Sequence, residues 1–139
     1  SDLVTFVAFS PVGRGFLTGS FAPGHAWHEN DLRANWPRFQ EPHFSVNLDL
    51  ATAYDVIAAD AGVTPSQLSM GWVLAKGEHI VTIPGSQNID HVNENIARWD
   101  WEPSSEVIAK IDTLINHNTV AGNRYPPMMG ATIDTEDFA

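Results

Sequence analysis

The sequence predicts an α/β chain with a parallel but incomplete sheet. Three observations carry this. Two short apolar, β-branched runs lie at residues 4–9 and 79–83. Helical periodicity fills the stretch between them, and strands separated by helices pair in parallel through a right-handed crossover. Two parallel strands buried on both faces do not make a stable sheet alone, so further strands are expected from elsewhere.

Val4 to Phe9 reads as a buried strand stopped by Ser10-Pro11. Gly13, Gly15 and Gly19 make the next loop pliable. Residues 20–47, with Pro23, Gly24, Pro37 and Pro42, read as one long loop. Loops of that length in compact domains are usually functional or disordered.

Leu48 to Ala61 reads as a helix, with Leu50, Ala53, Tyr54, Ile57, Ala58 and Ala61 as its apolar stripe and Gly62 as its stop. Thr64-Pro65-Ser66-Gln67 opens the next helix: Thr64 as N-cap, Pro65 in the first turn, Gln67 closing a capping box. Leu68, Gly71, Trp72 and Ala75 share a face, and Gly77 ends the run. After strand 79–83 comes a helix to about Ala97, then another with Ser104 as N-cap and an apolar stripe at Val107, Ile108, Ile111, Leu114 and Ile115. From Asn116 the pattern dissolves into a tail that wraps something or stays mobile.

The chain has 7 Lys+Arg against 17 Asp+Glu, a formal net charge of −10. So acidic a surface repels nucleic acid and anionic membranes at long range. No apolar run approaches the roughly 20 residues of a membrane span. The start, Ser1-Asp2-Leu3-Val4, lacks a basic region before an apolar one and does not read as a secretory signal; it enters a strand almost at once, as a cut chain would. With no Cys, disulfide and thiolate chemistry are excluded, which fits a cytoplasmic location.

The most informative run is Ile83-Pro84-Gly85-Ser86, followed by His91, Glu94 and Asn95. A strand end that opens through Pro-Gly-Ser onto a helix N-terminus presents backbone N–H groups and the positive end of a helix dipole, which suits a phosphate. His91, Glu94 and Asn95 project from one side of the first helical turns. Glu94 and Asn95 offer acceptors and a donor to a base such as adenine.

This run resembles the last barrel strand and following helix of the aldo-keto reductases. Phe9-Ser10-Pro11-Val12-Gly13-Arg14-Gly15-Phe16-Leu17-Thr18-Gly19 is similar to the strand-seven segment of the same family. Asp31-Leu32-Arg33, Pro37-Arg38-Phe39-Gln40 and Asn47 resemble the loop of its aryl-alcohol dehydrogenase-like, pyridoxal reductase-like and auxin-induced-protein-like branch, and Gly62 to Leu68 and Trp72-Val73-Leu74 also match. The resemblance runs over nearly all 139 residues, in order. It implies the C-terminal part of a (β/α)8 TIM barrel, from strand seven to the tail, as one partial oxidoreductase domain over 1–139. Such barrels run to about 250 residues. Family catalysis uses an Asp, a Tyr, a Lys and a His from the first half, and no stretch here resembles those segments, so no catalytic residue is assigned.

What the resemblance implies is the cofactor-binding portion of an NAD(P)H-dependent reductase of aldehydes and ketones. Phe9 would stack on nicotinamide, rather than serve only as a strand-end core residue. Ser10, Pro11, Val12, Gly13 and Arg14 would lie along the pyrophosphate, where the plain alternative is a Gly-rich turn. Ile83, Gly85, Ser86 and Gln87 would hold the adenosine ribose phosphate region, with His91 beside it and Glu94 and Asn95 on adenine. Positions 87 and 91, often Arg or Lys and Arg or Gln in relatives, are Gln87 and His91, so permanent positive charge is missing where a 2′-phosphate would sit. NADP(H) is expected, with NAD(H) as the competitor.

The expected partners are a small-molecule carbonyl substrate in the complete enzyme and either the missing N-terminal half of the barrel or a second copy of the chain. The other reading is a truncated, inactive half-barrel that binds a dinucleotide or only itself. His25 and His28 form His-x-x-His in the long loop, but a zinc site needs more ligands, and none is evident beside Pro23-Gly24. Trp27, Trp36 and Phe39 either border a ligand or pack on the barrel rim.

Overall fold

The computed structural model describes residues 4–97 and 99–133. Strands β1 (Phe6–Phe9) and β2 (Ile80–Ile83) pair in parallel in register Phe6↔Ile80 to Phe9↔Ile83. Both are shorter at their starts than the apolar runs, because the ladder extends only where the two overlap; the Phe6 amide closes it on the His79 carbonyl at 2.8 Å.

The strands were expected to be buried, and one face is not. Side chains alternate across a strand. Phe6, Ala8, Ile80 and Thr82 share the face toward α2 (Pro65–Leu74), half-buried except at the exposed Phe6 where β1 begins. Val7, Phe9, Val81 and Ile83 share the other, where they are 50%, 50%, 43% and 54% exposed. Two strands carry helices on one side and, within the described residues, no helix or strand on the other, where only Arg124 of the tail reaches the Phe9 ring.

Helix α1 (His43–Asp60) starts five residues before the predicted Leu48. The Glu41 carboxylate accepts from the Ser45 hydroxyl (2.8 Å) and amide (3.3 Å), an anion at the positive end of the helix. The buried stripe also differs from the predicted one. It runs through Phe44, Asn47, Leu48, Ala51, Tyr54 and Ala58, while predicted Ala53 faces out. The first half of α1 meets Phe16 and Phe39 of the loops; the second half meets Leu68 of α2 and Ile111 of α4 (Ser105–Leu114).

Local signals placed the other helices. Gly62 takes the left-handed conformation after α1 (φ 71°). Thr64 and Gln67 complete the capping box of α2. Ser104 caps α4 by accepting from the Val107 amide at 3.3 Å. Helix α3 (Ile89–Ala97) follows β2, and a short α5 (Pro127–Gly130) lies in the tail. Trp101 lies so close on α2 that a Cβ at Gly71 would stand 2.7 Å from its ring.

The long loop contains 3-10 turns at Leu32–Asn35 and Pro37–Phe39 and an aromatic cluster. Trp27 lies edge-on to Phe21, Phe39 and Phe44 at centroid distances of 5.4, 5.6 and 5.8 Å, so it packs as core. His25 joins this cluster against Trp27 at 4.5 Å, while Nδ1 of His28 accepts from the Asn30 amide. The described part of the tail wraps back. Asn47, 74 residues away, donates to the Ala121 carbonyl and accepts from its amide, both at 2.9 Å, and Arg38 Nε donates to the Gly122 carbonyl at 3.1 Å. The acidic end, residues 134–139, lies outside the described residues. Among the described residues no helix is long and apolar enough to cross a membrane.

Candidate functional site

The loops that leave the C-terminal ends of β1 and β2 face each other across an open cleft of about 550 Å³. The first supplies Ser10, Pro11, Val12 and Arg14; Pro84 and Gly85 come from the second, and His91, Glu94 and Asn95 from α3. Parallel strands bring both loops to the same end of the sheet, which is why residues over 70 apart in sequence meet here.

The first loop is tightly built. Ser10 and Arg14 hold positive φ (51° and 58°), as do Gly13 and Gly15 (58° and 101°). For the two non-glycine residues such a conformation costs on the order of 1–3 kcal/mol and persists only where neighbours impose it. Gly13 donates its amide to the Ser10 carbonyl and Gly15 to that of Val12, so these two N–H groups are spent within the loop. Ser69 of α2 donates its hydroxyl to the Pro11 carbonyl. Arg33 donates Nη1 to the Arg14 carbonyl at 3.0 Å and pairs with Asp31 at 2.6 Å. Asp31 holds Arg33 firmly protonated, and the guanidinium in turn holds the Asp31 carboxyl down at about 2. A Cβ at Gly15 would stand 3.0 Å from Arg33 Nη1, so the glycine also makes room for this cation.

The second wall is set by Gln67. Its Oε1 accepts from the Thr64 amide, and its Nε2 donates to the Glu94 carbonyl at 2.8 Å. One side chain thus caps α2 and fixes α3, the helix that carries His91, Glu94 and Asn95. His91 is exposed; Glu94 and Asn95 are half-buried.

Not every residue singled out in the sequence lines the cleft. Phe9 and Ile83 point to the open sheet face, by the alternation of the strands. Arg124 of the tail lies over the Phe9 ring, 5.1 Å from its centroid. Gly13 lines a neighbouring cavity behind the loop. Ser86 is tied into the turn before α3 by its bond to the Asn88 carbonyl at 2.8 Å, and Gln87 is exposed beside it. Arg14 reaches both cavities, its guanidinium held between the Trp36 ring (3.7 Å) and the Tyr125 ring (4.8 Å).

The sequence reading did not assign Thr18, Ser20, His25, Arg33 or Ser66 to the cleft, which they also line. Arg33 had a usable signal: it is one of only 7 basic residues, the argument applied to Arg14. The others reach the cleft through tertiary folding of the long loop and carry no motif. Among the described residues no group of three or more His, Cys, Asp or Glu is placed to hold a metal.

The Aldo/keto reductase family model matches residues 3–116. The aldo-keto reductase yakc [NADP(+)] of Schizosaccharomyces pombe is 37% identical over 130 residues, covering 94% of this chain and 38% of that protein. The aldo-keto reductase str7 of Strobilurus tenacellus is 31% identical over 135 residues, covering 97% and 40%. The glycerol dehydrogenase AKR11B4 of Gluconobacter oxydans superposes with a TM-score of 0.75 at 24% identity, covering 88% of this chain and 37% of that one. The chain therefore spans about two fifths of the curated relatives' length, and its two strands with their helices are part of a barrel. The chain belongs to the aldo/keto reductase family.

Proposed function

We propose that this chain is the cofactor-holding portion of an NAD(P)H-dependent reductase that converts aldehydes or ketones to alcohols, and that the groups performing proton transfer lie outside it. The observation that carries the reading is the meeting of both strand-end loops and α3 at one cleft with two cations and a carboxylate–carboxamide pair. The donor set fits a dinucleotide. Arg33 and Arg14 supply charge for phosphates, the N-terminus of α3 adds its dipole, and Glu94 and Asn95 offer acceptors and donors to adenine. At about 550 Å³ the cleft suits the adenosine and phosphate part. The nicotinamide end then extends over the open sheet face, where Phe9 offers the ring face that Arg124 leaves uncovered. The bound cofactor supplies the hydride; this chain binds and orients it.

NADP(H) is the cofactor proposed, in line with the name of the yakc relative. Gln87 and His91 provide no permanent charge for a 2′-phosphate, so NAD(H) competes more closely than it would against arginines. The open face of Val7, Phe9, Val81 and Ile83 is covered by the remainder of a barrel or by a second copy, because an exposed apolar sheet face favours association. The substrate is a small carbonyl compound bound mainly by loops beyond these residues.

NADPH titration of the purified chain, in the assembly it forms, tests this. Saturable binding is expected. Glu94→Ala and Asn95→Ala should each weaken it several-fold, since each lost hydrogen bond costs on the order of 0.5–1.5 kcal/mol. Stability should barely move, because both side chains are only half-buried. Parallel losses of stability and affinity would make the two residues structural and remove the adenine site.

A further inference from the structure

Three of the chain's seven basic residues converge behind the Ser10–Gly15 loop, on the far side from the cleft. Arg14 comes from that loop, Arg38 from the Pro37–Phe39 turn and Arg124 from the tail, and all three line one cavity of about 210 Å³. Each is held in place. Arg14 is clamped between Trp36 and Tyr125 and donates to the Arg124 carbonyl at 3.2 Å. Arg38 is tethered to the Gly122 carbonyl, and Arg124 lies over the Phe9 and Tyr125 rings at 5.1 and 5.8 Å.

Such convergence is costly in a half-buried place. Burial pushes the Arg38 guanidinium down to about 10, and the like charges of Arg124 and Arg14 add to this. Burial lowers Arg14 as well; Tyr125 offsets part of this and Arg124 opposes its charge. An anion in the cavity offsets both effects. Rigid guanidinium forks select planar two-oxygen anions, and restrained side chains lose little freedom on binding. The remaining wall is apolar, with Phe16, Leu50 and Ile115 among its residues, while the Asn47 side chain adds a polar edge. A bare oxyanion would leave that wall unused, and the volume is below the roughly 300 Å³ of a drug-sized pocket.

We propose that Arg14, Arg38 and Arg124 form a binding site for a small organic carboxylate with a short apolar body, in the cavity behind the strand-end loop. The site shares Ser10 and Arg14 with the cleft of the dinucleotide reading, but takes Arg38 and Arg124 from outside that cleft. Carboxylate binding here locks the tail to the loop, because its three cations come from both.

Sodium benzoate is the probe, titrated by calorimetry against the purified assembly at ionic strength held constant with sodium chloride. The arginine Nε–Hε resonances are followed in parallel, and sodium phosphate is the second ligand. Saturable benzoate binding is expected, with selective shifts of three arginine resonances. Affinity should fall at least tenfold in Arg124→Gln and in Arg38→Gln, and be partly kept in Arg124→Lys. Should Arg38→Gln unfold, Arg124→Gln on the tail still decides. Saturating NADPH should weaken benzoate binding no more than a few-fold, because the two ligands share Arg14 but not Arg38 or Arg124. The proposal is overturned if benzoate does no more than chloride, or if Arg124→Gln binds like the parent. Phosphate binding more tightly than benzoate removes the carboxylate assignment. Complete displacement of benzoate by NADPH puts the ligand in the cleft instead.

Discussion

Replacing Asn47 by Ala should undock the tail from the loop. Asn47 is 6% exposed and makes three backbone bonds: to the Arg38 carbonyl at 3.2 Å, to the Ala121 carbonyl at 2.9 Å, and from the Ala121 amide at 2.9 Å. At about 0.5–1.5 kcal/mol each, the gross loss is roughly 1.5–4.5 kcal/mol. Water regains the Ala121 groups once the tail leaves, since 120–121 are only half-buried, while the Arg38 carbonyl stays beside α1. A net loss of about 2–4 kcal/mol follows. It falls locally, so amide exchange over residues 119–125 should quicken by about 30-fold or more, with α2 and α4 little changed. Asn47→Asp sharpens the test. It keeps size and the bond from the Ala121 amide, but turns a second acceptor toward two carbonyl oxygens. It should cost as much as alanine. Exchange in both variants within twofold of the parent would refute the docking argument; a harmless Asp beside a damaging Ala would show that the two donated bonds contribute nothing.

Two further outcomes are expected. His91→Arg should raise the NADPH/NADH affinity ratio roughly three- to tenfold, as a charge-assisted bond on an exposed helix turn does; an unchanged ratio would place the 2′-phosphate elsewhere. Asp31, held at about 2 by Arg33, contributes stability that is fully present above the unfolded carboxylate range near 4 and is lost as pH falls toward 2. Because side-chain exposure at Arg33 is 35%, that contribution is under about 1 kcal/mol, and Asp31→Asn should flatten the stability profile between pH 4 and pH 2 by that amount.

What the sequence made legible was local. Thr64-Pro65-Ser66-Gln67 and Ser104 name their helices because the cap bonds span three residues. The cleft residues Ser10, Pro11, Val12, Arg14, Gly85, His91, Glu94 and Asn95 follow from loops leaving parallel strands at one end, which the family resemblance supplied and the pairing of β1 with β2 supports. The start of α1 escaped because its capping carboxylate, Glu41, stands before Pro42, where a loop is the natural reading. Burial of the strands was overestimated because an apolar run reports what a strand needs, and Val7, Phe9, Val81 and Ile83 stay about half exposed within the described residues. Gln67 fixing α3, Arg33 in the cleft and Asn47 holding the tail are contacts over tens of residues, with no spacing to announce them.

The central claim is that this chain holds the cofactor and leaves the chemistry to groups beyond it. Incubating the pure chain with NADPH and 4-nitrobenzaldehyde, and following absorbance of the reduced nicotinamide, tests it most directly. General acid catalysis typically contributes about 10²–10⁴-fold, and its source is not in the cleft described. The account predicts no oxidation of NADPH above the rate without protein. Turnover comparable with that of an intact aldo-keto reductase would contradict it.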